Sequence, residues 1–457
     1  MILMAIPEGL RTALNEIRET SIDNNTLYAQ YIEEIMPTTD IGTWASPILE
    51  VPKVMNEFVS ELVQKIVYTQ LEIRLFRNPL AVLEGEAIPL GSIGEEIFIN
   101  PIVGRRFNVD DFAGLLAKYE ADVKVQYHKV NSDIQYPVTI TRAKIKNAFT
   151  SWTELNAFIE GVTNALYNGA YIDRYNMTKD LVASAYDGNN VQIEVISAVT
   201  TADTAKAMIE KARKIFLNMQ TPTSTYNAWA KVGGYGNEIL TYTPKEDIVM
   251  LVRNDVLACI DVNVLASAFN MDKTEFLGNV IGVNDFDVWE YVKQADGSTI
   301  RHKAYDGSAI VGMIADKRWF RIKQQDFEMD EFYNANNRCW TYYLNDTRMY
   351  SYSLFANAVV FATGMPEVPA TKIEFIDDTA FELEEGKKAT RYLRITPPNA
   401  VVTITYTSAT PAVVSVTKKS NTEVEITGVD ANATPVTITA SDGTNSDTIS
   451  VTCVAGS

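Results

Sequence analysis

The chain has 457 residues, with 58 acidic against 40 basic side chains and a formal net charge of -18. A hydrophobic share of 46% and a charged share of 21% exclude a disordered polyelectrolyte, and the length implies two or three domains. Such an acidic balance also excludes a general attraction for phosphate backbones, which needs clustered Lys and Arg. The helical pattern begins at once, over 5–36 from Ile6 to Met36, and Pro37 ends it. Pro47 and Pro52 predict extended chain up to a second helix. There Val54, Phe58, Leu62, Val63 and Ile66 make an amphipathic stripe. A strand is expected over VYTQLEIRLF, where Leu71, Ile73 and Leu75 alternate with polar residues.

The next run is punctuated by Pro79, Gly85, Pro89, Gly91, Gly94 and Pro101, which excludes a helix. It reads as an extended arm or long hairpin that returns through Val123, Val125 and Tyr127. A two-stranded arm is marginal alone in water and leaves strand edges open, so it is expected to dock on a neighbour. Residues 148–186 carry the longest helical pattern, with Ser151 or Thr150 as the cap, Ser151 and Glu154 spaced as a capping box, and Gly188 as the stop. Strands and helices then alternate over 191–330, which suits a layered α/β domain. Tyr-rich and apolar strands follow over 331–363. GMPEVPA reads as a linker, and from Ile373 to Val454 short Thr/Val-rich strands predict a small β-sandwich of six or seven strands.

No catalytic or metal-binding motif emerges. The chain has two histidines: His128 is expected to be a solvated residue of the arm, and His302 to lie in a hairpin loop. Gly233, Gly234 and Gly236 lack the spacing of a phosphate-binding loop. The adjacent pairs Glu33-Glu34, Glu95-Glu96 and Glu384-Glu385 point their side chains apart. Asp285 and Asp287 share a face, yet no third ligand accompanies them, so a solvated strand end is expected. Cys259, Cys339 and Cys453 lie far apart and read as reduced thiols. The opening MILMAIPEGLRTALNEIRE lacks the basic leader and apolar length of a signal peptide, and no later run has the length of a membrane span. A protein that is neither exported by the usual route nor bound to a membrane is expected.

Several segments resemble the phi-twenty-nine-like (picovirus) major capsid (head) proteins of tailed phages. The shared elements are Asn78, Pro79 and Leu80, then Gly85, then Pro89, Leu90 and Gly91, then Glu95, Glu96 and Ile97. AFTSWTELNAFIEGVTNALYN resembles the start of their spine helix, and Ala268–Met271 with Phe276–Val280 resembles a central helix and turn. Phe355–Gly364 resembles their closing strand. In the tail, TYTSATPAVVSV and VEITGVDANATPVTITASDG resemble bacterial immunoglobulin-like group 2 domains. Tyr406-Thr407-Ser408 and Asn432 depart from that pattern and put the strand register in doubt.

The resemblance implies an α+β Hong Kong-type capsid fold followed by an all-β immunoglobulin-like sandwich. It assigns an N-terminal arm and first helix to 1–75, an extended loop to 76–147 and a spine helix to 148–190. An axial-type α/β domain takes 191–330, peripheral return strands 331–365, the linker 366–371 and the sandwich 372–457. It implies a non-enzymatic major capsid protein without cofactors or metal, made in the host cytoplasm and located in the virion. Its partners would be copies of itself in pentamers and hexamers, a scaffolding protein, a portal and packaged double-stranded DNA held without sequence preference. An acidic wall would repel that DNA and keep it from sticking. Asn78, Pro79, Leu80, Gly85, Pro89, Leu90, Gly91, Glu95 and Glu96 would belong to the inter-subunit extended loop. Two other readings compete. The tail alone would suit a secreted or surface adhesin, which needs an export signal, and an enzyme with a binding module would need a polar constellation.

Overall fold

The computed structural model describes residues 6, 8–24, 26–68, 76–102, 104, 118, 120–232, 238–259, 280–293 and 299–456. They divide into two units, one from Met1–Ile93, Lys129–Met177 and Ile322–Tyr350, the other from Gly94–His128, Thr178–Arg321 and Ser351–Ser457. The strands of the body, in chain order, are β1 (Gly94–Ile99), β2 (Val123–His128), β3 (Ser132–Thr141), β4 (Gln192–Val195), β5 (Ile248–Arg253) and β6 (Val280–Val283). They continue as β7 (Val288–Lys293), β8 (Thr299–Tyr305), β9 (Ile310–Asp316), β10 (Phe320–Asn334), β11 (Cys339–Tyr352) and β12 (Ala358–Ala362).

The first unit opens with four helices: α1 (Glu8–Asp23), α2 (Leu27–Tyr31), α3 (Ile41–Glu50) and α4 (Pro52–Tyr68). The single helix expected over 5–36 is therefore broken, and the extended chain expected around Pro47 is helix α3. Pro47 sits inside α3 and forgoes a backbone hydrogen bond. Burial of Trp44, Ala45 and Ile48 offsets that loss. Pro52 takes the first position of α4, where its missing N–H costs nothing. Val67 and Tyr68, the start of the strand expected over VYTQLEIRLF, belong to α4, and 69–75 lie outside the described residues.

Helices α5 (Arg142–Ala148), α6 (Trp152–Thr163) and α7 (Gly169–Asp187) follow β3. The single long helix expected over 148–186 is thus interrupted by a π-turn at Asn164–Asn168. Ser151 does cap α6, its Oγ accepting from the Glu154 N–H at 3.1 Å. Strands β10, β11 and β3 form a sheet in that order. β11 and β3 are antiparallel, from Cys339 opposite Thr141 to Arg348 opposite Ser132. Trp340, Tyr342 and Leu344 of β11 join Leu10, Leu14, Trp44, Phe58, Leu155 and Ile159 in one core. The return of the arm, read as one ribbon through 147, thus ends at β2, and β3 is bound into this sheet. Its alternate residues Tyr136, Val138 and Ile140 pack against that core.

In the second unit the sheet order is β4-β12-β9-β5-β6, with β4/β12 and β5/β6 parallel and the inner pairs antiparallel. Helix α8 (Ala202–Met219) covers it. Met208, Ala212, Ile215 and Phe216 of α8 pack on Met250, Val252, Val311, Ile314 and Phe361. Thr201 and Thr204 cap α8 reciprocally. Gly312 lies where a Cβ would stand 2.7 Å from the Leu251 carbonyl, so β5 and β9 can pair closely only with glycine there. The boundary between the units falls between Arg321 and Ile322, ahead of the expected boundary at 330, and 351–365 belong with the α/β sheet. The physical reason is that β10 and β11 are long hairpin strands whose apolar residues serve a core of their own.

The same unit carries a β-sandwich with eight strands, where six or seven were expected. They are β13 (Lys372–Phe375), β14 (Phe381–Glu384), β15 (Lys388–Thr396), β16 (Thr405–Ser408), β17 (Val414–Lys418), β18 (Glu423–Gly428), β19 (Asn432–Ser441) and β20 (Ser446–Val454). They form two sheets, β13-β15-β18-β17 and β14-β20-β19-β16. Leu393, Val424, Ile426, Ile438, Ile449 and Val451 fill the space between them. Asn399 of the sandwich is seated in the turn after α7. Its amide donates to the Gly188 carbonyl and, at 3.0 Å, to Asn190 Oδ1, while the Asn189 amide donates to the Asn399 carbonyl at 2.7 Å. Lys231 Nζ then donates to Asn189 Oδ1 at 2.7 Å, and burial lowers the ammonium pKa to about 8.

A candidate assembly surface on the ribbon

β1 and β2 pair antiparallel, with Glu95 opposite Tyr127, Ile97 opposite Val125 and Ile99 opposite Val123. Alternation along a strand sends these six side chains to one face and Glu96, Phe98, Lys124, Gln126 and His128 to the other. The second face is held by its own unit. Gln126 Nε2 donates to the Tyr352 carbonyl and Gln126 Oε1 accepts from the Leu354 N–H, both at 2.9 Å. The Phe98 ring lies 5.7 Å from that of Phe355. At the ribbon's end, Asn100 Nδ2 donates to the Glu238 carbonyl at 2.9 Å.

Glu96 is the centre of this anchoring. One carboxylate oxygen meets His128 Nε2 at 3.2 Å; the other meets the Arg321 guanidinium and, at 2.8 Å, the Ser353 hydroxyl. Burial pushes the Glu96 pKa up, but the hydrogen bond from His128 and the charge of Arg321 outweigh it and leave the carboxyl below its ordinary range. His128 Nδ1 lies 2.8 Å from Ser351 Oγ. His128 is only 3% exposed, which corrects the expectation of a solvated residue. Strand alternation alone puts it on the inner face with Gln126.

Among the described residues the first face has no such cover. Ile97, Ile99, Val123, Val125 and Tyr127 are between 37% and 64% exposed. The ribbon thus turns its polar side inward and its apolar side out, the reverse of a strand pair that serves a monomer's own core.

The other arm residues divide in the same way. Asn78 caps a 3-10 turn, accepting from the Leu80 N–H at 2.9 Å; Pro79 opens that turn, and Leu80 is fully buried in the first unit. The Gly85 N–H donates to the Ile322 carbonyl at 2.8 Å, beside an ion pair of Glu84 with Arg348 at 2.6 Å. Arg348 also holds Asp346 at 2.8 Å. The Pro89 carbonyl accepts from the Ser92 N–H at 3.2 Å, and Gly91 has a φ of +73°, the conformation that the third position of this tight turn requires. Leu90 at the turn's corner is 73% exposed, and Glu95 is exposed on the apolar face. Leu80 and Glu96 are thus engaged in their own chain, whereas Leu90 and Glu95 are open.

Among the described residues none of the other motifs assembles a reaction centre. His302 is exposed, 3.8 Å from Glu290. Asp285 pairs with Lys179 at 2.9 Å and Asp287 with Lys303 at 2.6 Å, so each carboxylate has a cation. Gly233, Gly234 and Gly236 lie outside the described residues. Among the described residues no group of three or more His, Cys, Asp or Glu could hold a metal ion, and no helix is long and apolar enough to cross a membrane.

The fold is that of phage capsid proteins. It superposes on a chain from the capsid structure of Staphylococcus phage Andhra with a TM-score of 0.52 at 14% identity, covering 65% of this chain and 87% of that one. The chain belongs to the Phi29-like phage major capsid protein family, which it matches over residues 14–362. The major capsid protein of Bacillus phage B103 is 30% identical over 389 residues, 84% of this chain and 80% of that protein. Its counterpart in Bacillus phage PZA is 28% identical over 391 residues, again 84% and 80%. The chain is accordingly the major capsid protein of a tailed phage, a structural protein of the virion that assembles with copies of itself into a shell. The adhesin reading is not favoured.

Proposed function

We propose that the outward face of β1 and β2, Glu95 included, is the surface that one subunit lays on the next, and that Leu90, in the first unit, is a separate contact of the loop with a neighbour. The observation that carries this is the pair of apolar cross-strand contacts, Ile97 with Val125 and Ile99 with Val123, on the open face of a ribbon whose other face is already anchored. Removing such a patch from water is favourable by about 25 cal/mol per Å². Among the described residues the ribbon is a two-stranded sheet, so the neighbour supplies side-chain cover and can meet its open backbone edges. Asn78, Pro79, Leu80, Gly85, Pro89, Gly91 and Glu96 set the course of the loop.

In this reading the fold is of the Hong Kong type, with an N-terminal arm, an extended loop, and peripheral and axial domains. Head-to-tail contacts close rings of five and six subunits. The eight-stranded sandwich is an immunoglobulin-like domain of bacterial group 2. Its two-sheet core supports that reading. It faces outward, and the Asn399 contacts hold it at a set position on its own unit. Further partners are a scaffolding protein, a portal and packaged double-stranded DNA without sequence-specific binding. Synthesis takes place in the host cytoplasm. No step of chemistry is required of the chain.

The test is the double variant Ile97→Asp, Val125→Asp in the full chain, produced together with the phage's other head proteins. Electron microscopy should show no closed heads, while circular dichroism shows a folded subunit. Heads at ordinary yield from that variant would end the proposal.

A further inference from the structure

A second surface carries charge that its own chain does not neutralise. Lys144 and Lys146 are exposed on α5, and Arg338 is exposed in the turn between β10 and β11. The backbone joins these sites: the Arg142 N–H donates to the Arg338 carbonyl at 3.3 Å, and Thr141 lies opposite Cys339. Among the described residues none of the three cations has an acidic partner. On a chain of net charge -18, three clustered and unpaired cations are unexpected.

The matching charge lies on the same sheet. Asp326, Glu328 and Asp330 alternate along β10 and so share a face, while Phe327 and Met329 between them pack against the core. The charges of Asp326 and Asp330 raise the Glu328 pKa, a repulsion that no cation among the described residues relieves. Among the described residues Asp330 has only a neutral partner, the Asn345 amide at 2.7 Å.

Among the described residues no contact joins the two clusters within one subunit. Asp330 stands four residues along β10 from the strand's end at Asn334, or roughly 14 Å at ~3.4 Å per residue. Glu328 and Asp326 precede Asp330 on the hairpin and lie farther still from the turn. Across such a distance salt screens the attraction, because the Debye length is about 8 Å at physiological ionic strength.

We propose that Lys144, Lys146 and Arg338 of one subunit dock on the Asp326, Glu328 and Asp330 face of a second copy. The partner is a copy because the shell surrounds each subunit with copies, and because this chain itself offers the complementary carboxylates. Two different patches in contact make a heterologous interface, the kind that closes rings. The contact rests on self-assembly alone and uses none of the ribbon's residues, so either proposal can fail while the other stands.

The test begins with zero-length carbodiimide cross-linking of intact heads, read by mass spectrometry. Links from Lys144 or Lys146 to Asp326, Glu328 or Asp330 are expected, together with chain dimers on a denaturing gel. Heads in which other Lys–carboxylate pairs react and these do not would overturn the proposal. Charge reversal is the second arm. The variant Lys144→Glu, Lys146→Glu, Arg338→Glu should lower head yield about tenfold or more, and adding Asp326→Lys, Glu328→Lys and Asp330→Lys should restore most of it. A reversed variant that forms heads at full yield, or whose heads lose only their DNA, would assign the cations elsewhere, in the latter case to nucleic acid.

Discussion

The ribbon and the sandwich are both antiparallel strands of alternating apolar and polar residues, and they use that alternation in opposite ways. In the sandwich, Val424, Ile426, Ile438 and Val451 point at a second sheet and are fully buried. In the ribbon, Ile97, Ile99, Val123 and Val125 point away from the unit that holds it, and Glu96, Gln126 and His128 point in. A period of two says that a strand has two unlike faces. It does not say which face the chain keeps for itself. A subunit that must be soluble before assembly and stable after it can hold a ribbon by polar contacts and leave the apolar face for a partner.

The widest gap between the two regions should appear on truncating the apolar side chains. Ile438→Ala should cost the sandwich about 2–5 kcal/mol, measured by denaturant unfolding, because it opens a cavity between two sheets. A loss below 1 kcal/mol would mean that the sandwich core is loosely packed and the contrast overstated. Glu96→Gln should come next. Losing the charge-assisted contacts to His128 and Arg321 should cost about 1.5–3 kcal/mol of local stability, seen as faster amide exchange in β1 and β2. Acid should have the same effect. The folded-state carboxyl sits below its ordinary value of 4.5, so its stabilisation is complete above that pH and is lost as pH falls through the folded value. Ribbon protection, corrected for the intrinsic pH dependence of exchange, should lose this pH response in the Glu96→Gln variant, and a native ribbon whose protection does not fall at all on acidification below pH 4.5 would dissolve the assignment.

A further effect concerns the seat of the sandwich. Lys231 titrates at about 8 in the folded chain, below the ordinary 10.5. The unfolded chain therefore binds more protons between those values, and stability of the second unit should rise with pH across that window, by at most about 1.4 kcal/mol per pH unit. Lys231→Met should flatten the slope in thermal melts. The smallest change is expected on the ribbon's outer face. Ile97→Ala should shift subunit stability by no more than about 0.5 kcal/mol, because the residue is 56% exposed, yet it should weaken head assembly. A loss of several kcal/mol in the isolated subunit would mean that this face is covered by its own chain.

Parts of this division were legible early. The alternation of Val123, Val125 and Tyr127, the punctuation by Pro89 and Gly91, and the Ser151 cap all correspond to features of the structure, because each is a local rule. The Pro47 helix was not legible, because packing of Trp44 and Ile48 overrides a local penalty. The Glu96–His128–Arg321–Ser353 cluster was not legible either: its members come from distant stretches, and only strand register brings them together. The signal that could have found it was the inward phase shared by Glu96 and His128 once Val125 was read as outward.

The amino-acid sequence by itself determined the acidic charge, the family, the turns and caps, and the break in composition that begins the sandwich. Those properties depend on residue type and short spacing. Only the tertiary structure decided that β3 leaves the ribbon for the sheet with β11, that His128 is buried, and that the ribbon's apolar face is the open one. These depend on which strands pair and in what register, and pairing across hundreds of residues is selected by the packing of whole surfaces, which no short window contains.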